Sequence, residues 1–313
     1  MGIAAGAGRG ESLEEKETRM SSEAAHPHQV HIGSCAWAFE DWRGVFYPPE
    51  LPPGRWLGWY ARTFNAVEID STFYATPPAH TVAKWLADAP AHFRFTCKAP
   101  KTITHELRLR GCNPLLAEFL ERMEPLHGHM GPVLIQLPPS FAPAGDAAAL
   151  REFVLGLPHG WKFAIEFRHA EWHQPRFARL LEDHGVCWVW SDMTPLPDQA
   201  QGPFGFLPET APFIYLRLMG DPRTKFNAAG ERIVHYREML WPRAGAVESW
   251  AVRLGKQAEQ AKGIYVFANN HYEGFAPLTC RRIAEHLGMK LTLPNPEAAE
   301  EEPQAGPRQM RLF

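Results

Sequence analysis

Alternation is the feature that most constrains this chain. Eight short runs rich in β-branched and aromatic residues read as strands: Val30–Cys35, Ala66–Asp70, Phe93–Lys98, Val133–Leu137, Lys162–Phe167, Val186–Ser191, Phe213–Leu218 and Ile264–Asn269. Between them the apolar residues recur with a helical period. Trp56, Trp59, Tyr60, Thr63 and Phe64 share one helical face. Asn113-Pro114 reads as an N-cap and first-turn proline before a stripe of Leu115, Leu116, Phe119, Leu120 and Met123. Pro175 opens a helix with Phe177, Leu180 and Leu181 that Gly185 stops, and Trp250, Leu254 and Ala258 mark a long helix before the last strand. Eight strands alternating with helices predict a single closed parallel (β/α)8 barrel of the TIM type. An open doubly wound sheet is the competing fold, and the glycine fingerprint expected after its first strand is missing. Asp192–Pro212 is rich in Pro and Gly without helical period, so a regular helix is expected to be lacking after the sixth strand.

Composition sets the outer limits. With 313 residues, 45% of them hydrophobic, the chain can fill a core, which excludes wholesale disorder. No apolar run approaches the roughly 20 residues of a membrane helix. Five cysteines, an odd number without a CxxC pair, read as reduced thiols and point to the cytoplasm. Residues 1–29 and 294–313 are poor in large apolar side chains and are expected to form disordered arms around a barrel at 30–293. Each arm carries net charge −2, against −3 for the whole chain, which leaves the middle at +1. That balance excludes a broad basic surface for nucleic acid.

Strand parity points to the chemistry. Side chains alternate faces, and the face meeting the helices must be apolar. Val67 and Ile69 then face out, so Glu68 and Asp70 face in. By the same rule Arg94, Thr96 and Lys98, then Gln136, then Glu166 and Arg168, then Tyr215 and Arg217, and finally Asn269 face in. The sixth strand is ambiguous, with Asp192 at its end. These polar residues lie at strand C-terminal ends, where barrel enzymes place their chemistry. Glu68, Glu166, Asp192, His105 and His169 are therefore candidate acid/base groups. Asp70, Lys98, Gln136, Arg168, Arg217, Asn269 and Asn270, with the aromatic faces of Trp37, Tyr74 and Trp172, are candidate substrate contacts. The same acids and imidazoles admit a divalent metal, for which Lys98, Arg168 and Arg217 compete. His169 and His173 have metal-binding spacing only on a helix, and Pro175 places the helix start after them. No nucleotide-cofactor motif is present.

Seven segments carry a resemblance: IGSCAWAFEDWRGVFYP (Ile32–Pro48), VEIDSTFYATP (Val67–Pro77), FRFTCKAPKTITH (Phe93–His105), LIQLPPSF (Leu134–Phe141), AIEFRHAEW (Ala164–Trp172), YLRLMG (Tyr215–Gly220) and VFANNHYEG (Val266–Gly274). In this order they resemble domain-of-unknown-function family seventy-two, the YecE-like proteins, over about Val30–Leu293. The resemblance implies a TIM-type barrel and leaves the activity unassigned; on fold grounds the family is loosely compared with sugar isomerases. It also implies a His where Met219 stands, and Tyr-Phe where Phe267-Ala268 precede Asn269-Asn270.

The chain ends Gln309-Met310-Arg311-Leu312-Phe313. This is similar to the pentapeptide with which bacterial proteins bind the replication sliding clamp, Gln309, Leu312 and Phe313 being the anchors. Three functions stand side by side: an isomerase- or hydrolase-like enzyme for a small polar, phosphorylated or sugar-like substrate; a DNA-maintenance barrel recruited to the clamp by its tail; and a non-catalytic ligand-binding barrel.

Overall fold

A computed structural model describes residues 30–193, 207–221, 235–258 and 260–295. The arm at 1–29, residues 194–206 of the proline-rich loop and the tail with Gln309, Leu312 and Phe313 lie outside the described residues. The strands are β1 (Val30–Ser34), β2 (Ala66–Ile69), β3 (Arg94–Lys98), β4 (Met130–Gln136), β5 (Phe163–Glu166), β6 (Cys187–Trp188), β7 (Trp190–Met193), β8 (Ile214–Gly220) and β9 (Ile264–Ala268). The main helices are α1 (Trp56–Tyr60), α2 (Ala79–Asp88), α3 (Asn113–Met123), α4 (Pro143–Leu155), α5 (Pro175–Glu182), α6 (Ala244–Gln257), α7 (Asn270–Glu273) and α8 (Ala276–His286).

The strands form two all-parallel sheets, one in the order β1-β9-β8-β7 and one in the order β2-β3-β4-β5-β6. The expected sixth strand is thus two short strands separated by Val189, the first pairing with β5 and the second with β8. The Val189 N–H still bonds the Ile165 carbonyl, at 3.0 Å. Across the other edges, Cys35 and Glu68 form an isolated parallel bridge. The protein is therefore an α/β fold built on parallel sheets, which is the broader part of the expected architecture.

The parity holds. Val67, Ile69, Phe93, Phe95, Ile135, Ile165, Leu216 and Val266 join the large apolar core under the helices. A smaller cluster, including Ala66, Leu134, Ala164, Cys187, Val189, Tyr215, Tyr265 and Phe267, occupies the opposite face. Val189 and Cys187 settle the sixth strand: Ser191 shares their face and Asp192 does not. Two local expectations shift. α3 begins at Asn113 itself, with Cys112 as its cap, and Leu115 is exposed rather than part of the buried stripe. The helix opened by Trp56 ends at Tyr60, before Thr63 and Phe64.

Candidate active site

The inner faces of both sheets meet on one buried arginine. Arg217 of β8 lies between Glu68 of β2 and Glu166 of β5, and all three side chains are essentially fully buried. Its Nε donates to both Glu68 oxygens at 3.2 and 3.0 Å, and Nη2 donates to Glu68 Oε1 at 2.6 Å. Its Nη1 donates to Glu166 Oε2. The Tyr215 hydroxyl donates to Glu68 Oε2 at 2.6 Å and lies 3.0 Å from the Thr96 hydroxyl. Glu166 also accepts from Arg168 Nε at 3.0 Å and from the Ser191 hydroxyl at 3.4 Å. Charges removed from water are tolerable only when paired and hydrogen-bonded in this way. Burial would push the Glu166 carboxyl up, but Arg168, Arg217 and Lys98 outweigh it and hold the group down at about 2. Burial, followed by the Glu68 charge, pushes the Tyr215 phenol well up and keeps it a donor.

Above this floor the pairing is looser. Asp70 follows β2, and its Oδ1 lies 4.0 Å from Lys98 Nζ and 3.9 Å from Arg217 Nη2. Both separations exceed hydrogen-bonding range, and Oδ1 is buried without a hydrogen-bond partner. Burial and the adjacent Glu68 charge raise the Asp70 carboxyl above the ordinary aspartate range, against the pull of Lys98 and Arg217. Lys98 ends β3 with its ammonium 4.0 Å from the centre of the Phe73 ring. Its pKa is lowered, chiefly by burial, with Arg217 and Arg168 working against Asp70. An acid shifted up beside an amine shifted down is an arrangement suited to proton exchange.

His105 reaches the same rim from a π-helical turn, Thr102–Glu106, a form that often marks functional positions. Its ring packs edge-on against Phe73 at 4.9 Å, and Nδ1 lies 2.9 Å from the Thr104 hydroxyl. Burial, then Lys98 and Arg168, lower its pKa. The chain beyond this turn is pinned by Asp146 of α4, which accepts from Arg108 at 2.5 Å and Arg110 at 2.9 Å. Gly220 ends β8 at φ +67°, and a Cβ there would come 2.4 Å from the His271 carbonyl oxygen, so only glycine lets this turn close over the strand end.

The structure brings together Glu68, Asp70, Lys98, Glu166, Arg168 and Arg217, with Gln136 in register beside Glu166 and His105 at the rim. The other expected site residues make contacts of their own. Asp192 is on the outer face of its strand, where Oδ2 accepts from Trp250 Nε1 at 2.8 Å and the Tyr272 hydroxyl at 2.6 Å. Trp172 is buried between Phe141 and Phe167, with its N–H on the Phe141 carbonyl. His169 caps the turn Ala170–Trp172 by accepting from the Glu171 N–H. Asn269 caps α7 by accepting from the His271 amide, and Asn270, the first residue of α7, accepts from the Ala276 amide at the start of α8. Trp37 packs edge-on against Trp85. Tyr74 is 75% exposed, and it is its neighbour Phe73 that forms the aromatic wall.

Sequence reasoning passed over four contributors. Tyr215 and Thr96 face inward by parity, but uncharged groups gave no reason to rank them as site residues. Ser191 lay in the ambiguous strand, and nothing distinguished Phe73 from Tyr74. As for a metal, Cys35, Glu68 and Asp70 place ligand-type atoms within 4.8 Å of one another. The donor set does not suit a cation. Arg217 Nη2 lies 3.9 Å from Cys35 Sγ, both Glu68 oxygens are already bonded to Arg217, and burial pushes the Cys35 thiol well up.

Parallel sheets joined by a buried carboxylate–guanidinium–carboxylate bridge, with an acid, an amine and an imidazole at the strand ends, define an α/β protein with one focused polar site. Residues 31–304 match the family described as "Protein of unknown function DUF72", and the chain belongs to that family. The chain is 37% identical to the UPF0759 protein YecE of Escherichia coli K12 over 174 residues, which cover 53% of this chain and 60% of YecE. It is 25% identical to the UPF0759 protein YunF of Bacillus subtilis over 306 residues, 91% of this chain and 100% of YunF. Among solved structures, a DUF72 family protein of Thermotoga maritima superposes with a TM-score of 0.68 at 28% identity, covering 83% of this chain and 100% of its own. A DUF72 family protein of Enterococcus faecalis, 21% identical, superposes with a TM-score of 0.67 over 85% of this chain and 98% of its own. Among the described residues, no helix is long and apolar enough to cross a membrane.

Proposed function

We propose that this protein is an enzyme that moves a proton on a small polar substrate bearing an anionic or sugar-like group, at the strand C-terminal rim. The carrying observation is Asp70: a carboxylate with a buried, unbonded oxygen facing two cations at 3.9 and 4.0 Å. In this reading Asp70 is the general acid/base. Lys98 and Arg168 hold the substrate's anionic or hydroxyl group, and His105 is a second proton carrier. Glu68 and Glu166, sequence candidates for acid/base work, instead fix Arg217, because their oxygens are already engaged. The same reading treats the two sheets as one barrel. It is supported by the Cys35–Glu68 bridge, the Val189–Ile165 hydrogen bond and the side-chain bridge between the sheets.

The test is solvent-deuterium exchange into a panel of aldose and ketose phosphates and hydroxy acids, followed by proton NMR. Wild type should exchange at least one member, and Asp70→Asn should slow that exchange by about 10²–10⁴-fold, the usual contribution of a general acid/base. The variant should stay folded. A carboxyl whose folded pKa is raised costs stability once ionised, so Asp70→Asn should be no less stable than wild type at pH 7. A wild type that exchanges nothing in the panel, or an Asp70→Asn variant with full activity, rules the reading out.

A further inference from the structure

Among the described residues every lysine but one is exposed. Lys84 and Lys101 are also paired, with Asp88 at 2.8 Å and Glu106 at 3.2 Å. Lys98 differs on both counts. Its side chain is 12% exposed, and its Nζ lies 4.0 Å from Asp70 Oδ1, outside hydrogen-bonding range. The strand end that carries it is fixed from below. The Thr72 hydroxyl lies 2.7 Å from the Lys98 carbonyl oxygen, which ties the turn Ser71–Phe73 to β3. That turn sets the Phe73 ring against the Lys98 ammonium, at 4.0 Å from its centre. The ring face holds the resting charge and keeps water from one side of it. Arg168 and Arg217 are held in place by Glu166 and Glu68 and act on Lys98 as fixed positive charges. Burial lowers the pKa of the amine, and the two arginines lower it further, against Asp70 and Glu166.

We propose that Lys98 is a nucleophile that forms an imine with an aldehyde or ketone bearing an anionic group. This rests on the proton-transfer reading of the rim and gives its substrate class. A largely buried lysine without a close acid, beside fixed cations, is the environment in which a protein obtains a nucleophilic amine near neutral pH. In the first complex Lys98 holds the carbonyl oxygen and Arg168 the anionic group. The Lys98 ammonium then gives one proton to the Asp70 carboxylate, and the free amine attacks the carbonyl carbon. The C=O electron pair moves to oxygen, which takes the proton released by nitrogen and becomes a hydroxyl. Asp70 returns its proton to that hydroxyl, which leaves as water while the nitrogen lone pair closes the C=N bond. The iminium carries the one positive charge with which the ammonium began. Asp70, again a carboxylate, takes a proton from the adjacent carbon, and the C–H electron pair is drawn into the C=N bond. The imine is thus the electron sink for the proton exchange assigned to the rim.

The experiment incubates the full chain with glyceraldehyde 3-phosphate, dihydroxyacetone phosphate or pyruvate and reduces each mixture with sodium borohydride. Intact and peptide masses then locate any secondary-amine adduct. At least one compound should give a single adduct, on the peptide that holds Lys98. Lys98→Arg keeps the charge but cannot form the imine, and its adduct should fall about tenfold or more. Lys98→Met repeats that loss without the guanidinium. Asp70→Asn should still be trapped, but about 10²-fold more slowly or worse. Lys101→Arg, an exposed neighbour, should change nothing. The melting temperature of each variant separates loss of the nucleophile from loss of the fold. The proposal is overturned if none of the three compounds is trapped, if the adduct maps to other lysines, or if Lys98→Arg is trapped as well as wild type. A wild type that exchanges deuterium but is never trapped removes the imine and leaves the proton-transfer reading. A wild type trapped at Lys98 that exchanges nothing does the reverse.

Discussion

Replacing Arg217 by methionine separates the structural and chemical roles of the buried bridge. Methionine keeps an unbranched stem but removes every donor. Glu166 would retain Arg168 at 3.0 Å and Ser191 at 3.4 Å. Glu68 would lose three contacts, at 2.6, 3.0 and 3.2 Å, and keep the uncharged Tyr215 hydroxyl. One buried carboxylate is thus left without a counter-charge, which costs about 3–5 kcal/mol. For a domain of this size each kcal/mol is about 2–4 °C, so the melting temperature should fall by about 6–20 °C. Urea unfolding at pH 7 reads the same loss as free energy. A second substitution identifies its origin. Glu68→Gln in the Arg217→Met background removes the stranded charge and should recover much of the loss, since a neutral replacement of a buried ion pair is often nearly harmless. A single variant that loses under about 1 kcal/mol, or a double variant no more stable than the single, would refute the reasoning.

Two further outcomes follow. Glu166 is held at about 2 against an ordinary glutamate value of 4.5. That shift corresponds to roughly 3 kcal/mol of stability, present above the ordinary carboxylate pKa and lost as pH falls through about 2. Glu166→Gln should therefore be less stable than wild type at pH 7, and the gap should close as denaturant titrations are moved toward pH 2; a gap independent of pH contradicts the assignment. The Gln309–Phe313 pentapeptide is tested by fluorescence anisotropy with a purified bacterial sliding clamp. The full chain should bind and a chain lacking Leu312-Phe313 should not, while a full chain that never binds removes the clamp from consideration.

The parallel strands and the faces they present were legible because apolar alternation is a strong physical signal. A one-residue error in parity would have put Val67 and Ile69 inside and Glu68 against the helices, at a cost no sequence of this composition could tolerate. Parity failed where both faces of a strand are apolar. The run Val186-Cys187-Trp188-Val189-Trp190 offers no polar face, so the outward side of Asp192 could not be read from the sequence. The contacts of Trp172 and the two asparagines were illegible for a different reason. Their neighbours in sequence are site residues, but adjacency along a turn says nothing of direction: an indole can bury itself among phenylalanines, and an amide can cap a helix. The relative standing of the carboxylates was also out of reach. Glu68 and Asp70 look alike in sequence. Only the geometry shows that one has its oxygens filled by Arg217 and Tyr215 and the other has an oxygen left over.

That leftover oxygen ties charge balance to chemistry. The site holds three acids, Glu68, Asp70 and Glu166, and three cations, Lys98, Arg168 and Arg217. With all six ionised it is neutral and has little pull on an anion. With Asp70 protonated it is net positive, and Lys98 loses its nearest competitor for a ligand. The dependence runs both ways, because linkage is reciprocal. An anion placed between Lys98 and Arg168 adds negative charge beside Asp70 and favours its protonated form. On the proposed reading, substrate binding therefore delivers the proton that catalysis needs, and the general acid is charged only when there is something to protonate. Calorimetry of a bound anionic substrate in two buffers of different ionisation enthalpy measures this directly. Binding should take up a fraction of a proton, more as the pH is lowered from neutral, and Asp70→Asn should abolish the uptake while leaving the anion bound. Equal heats in both buffers would mean that Asp70 does not change protonation on binding, and the acid/base role would have to move to His105.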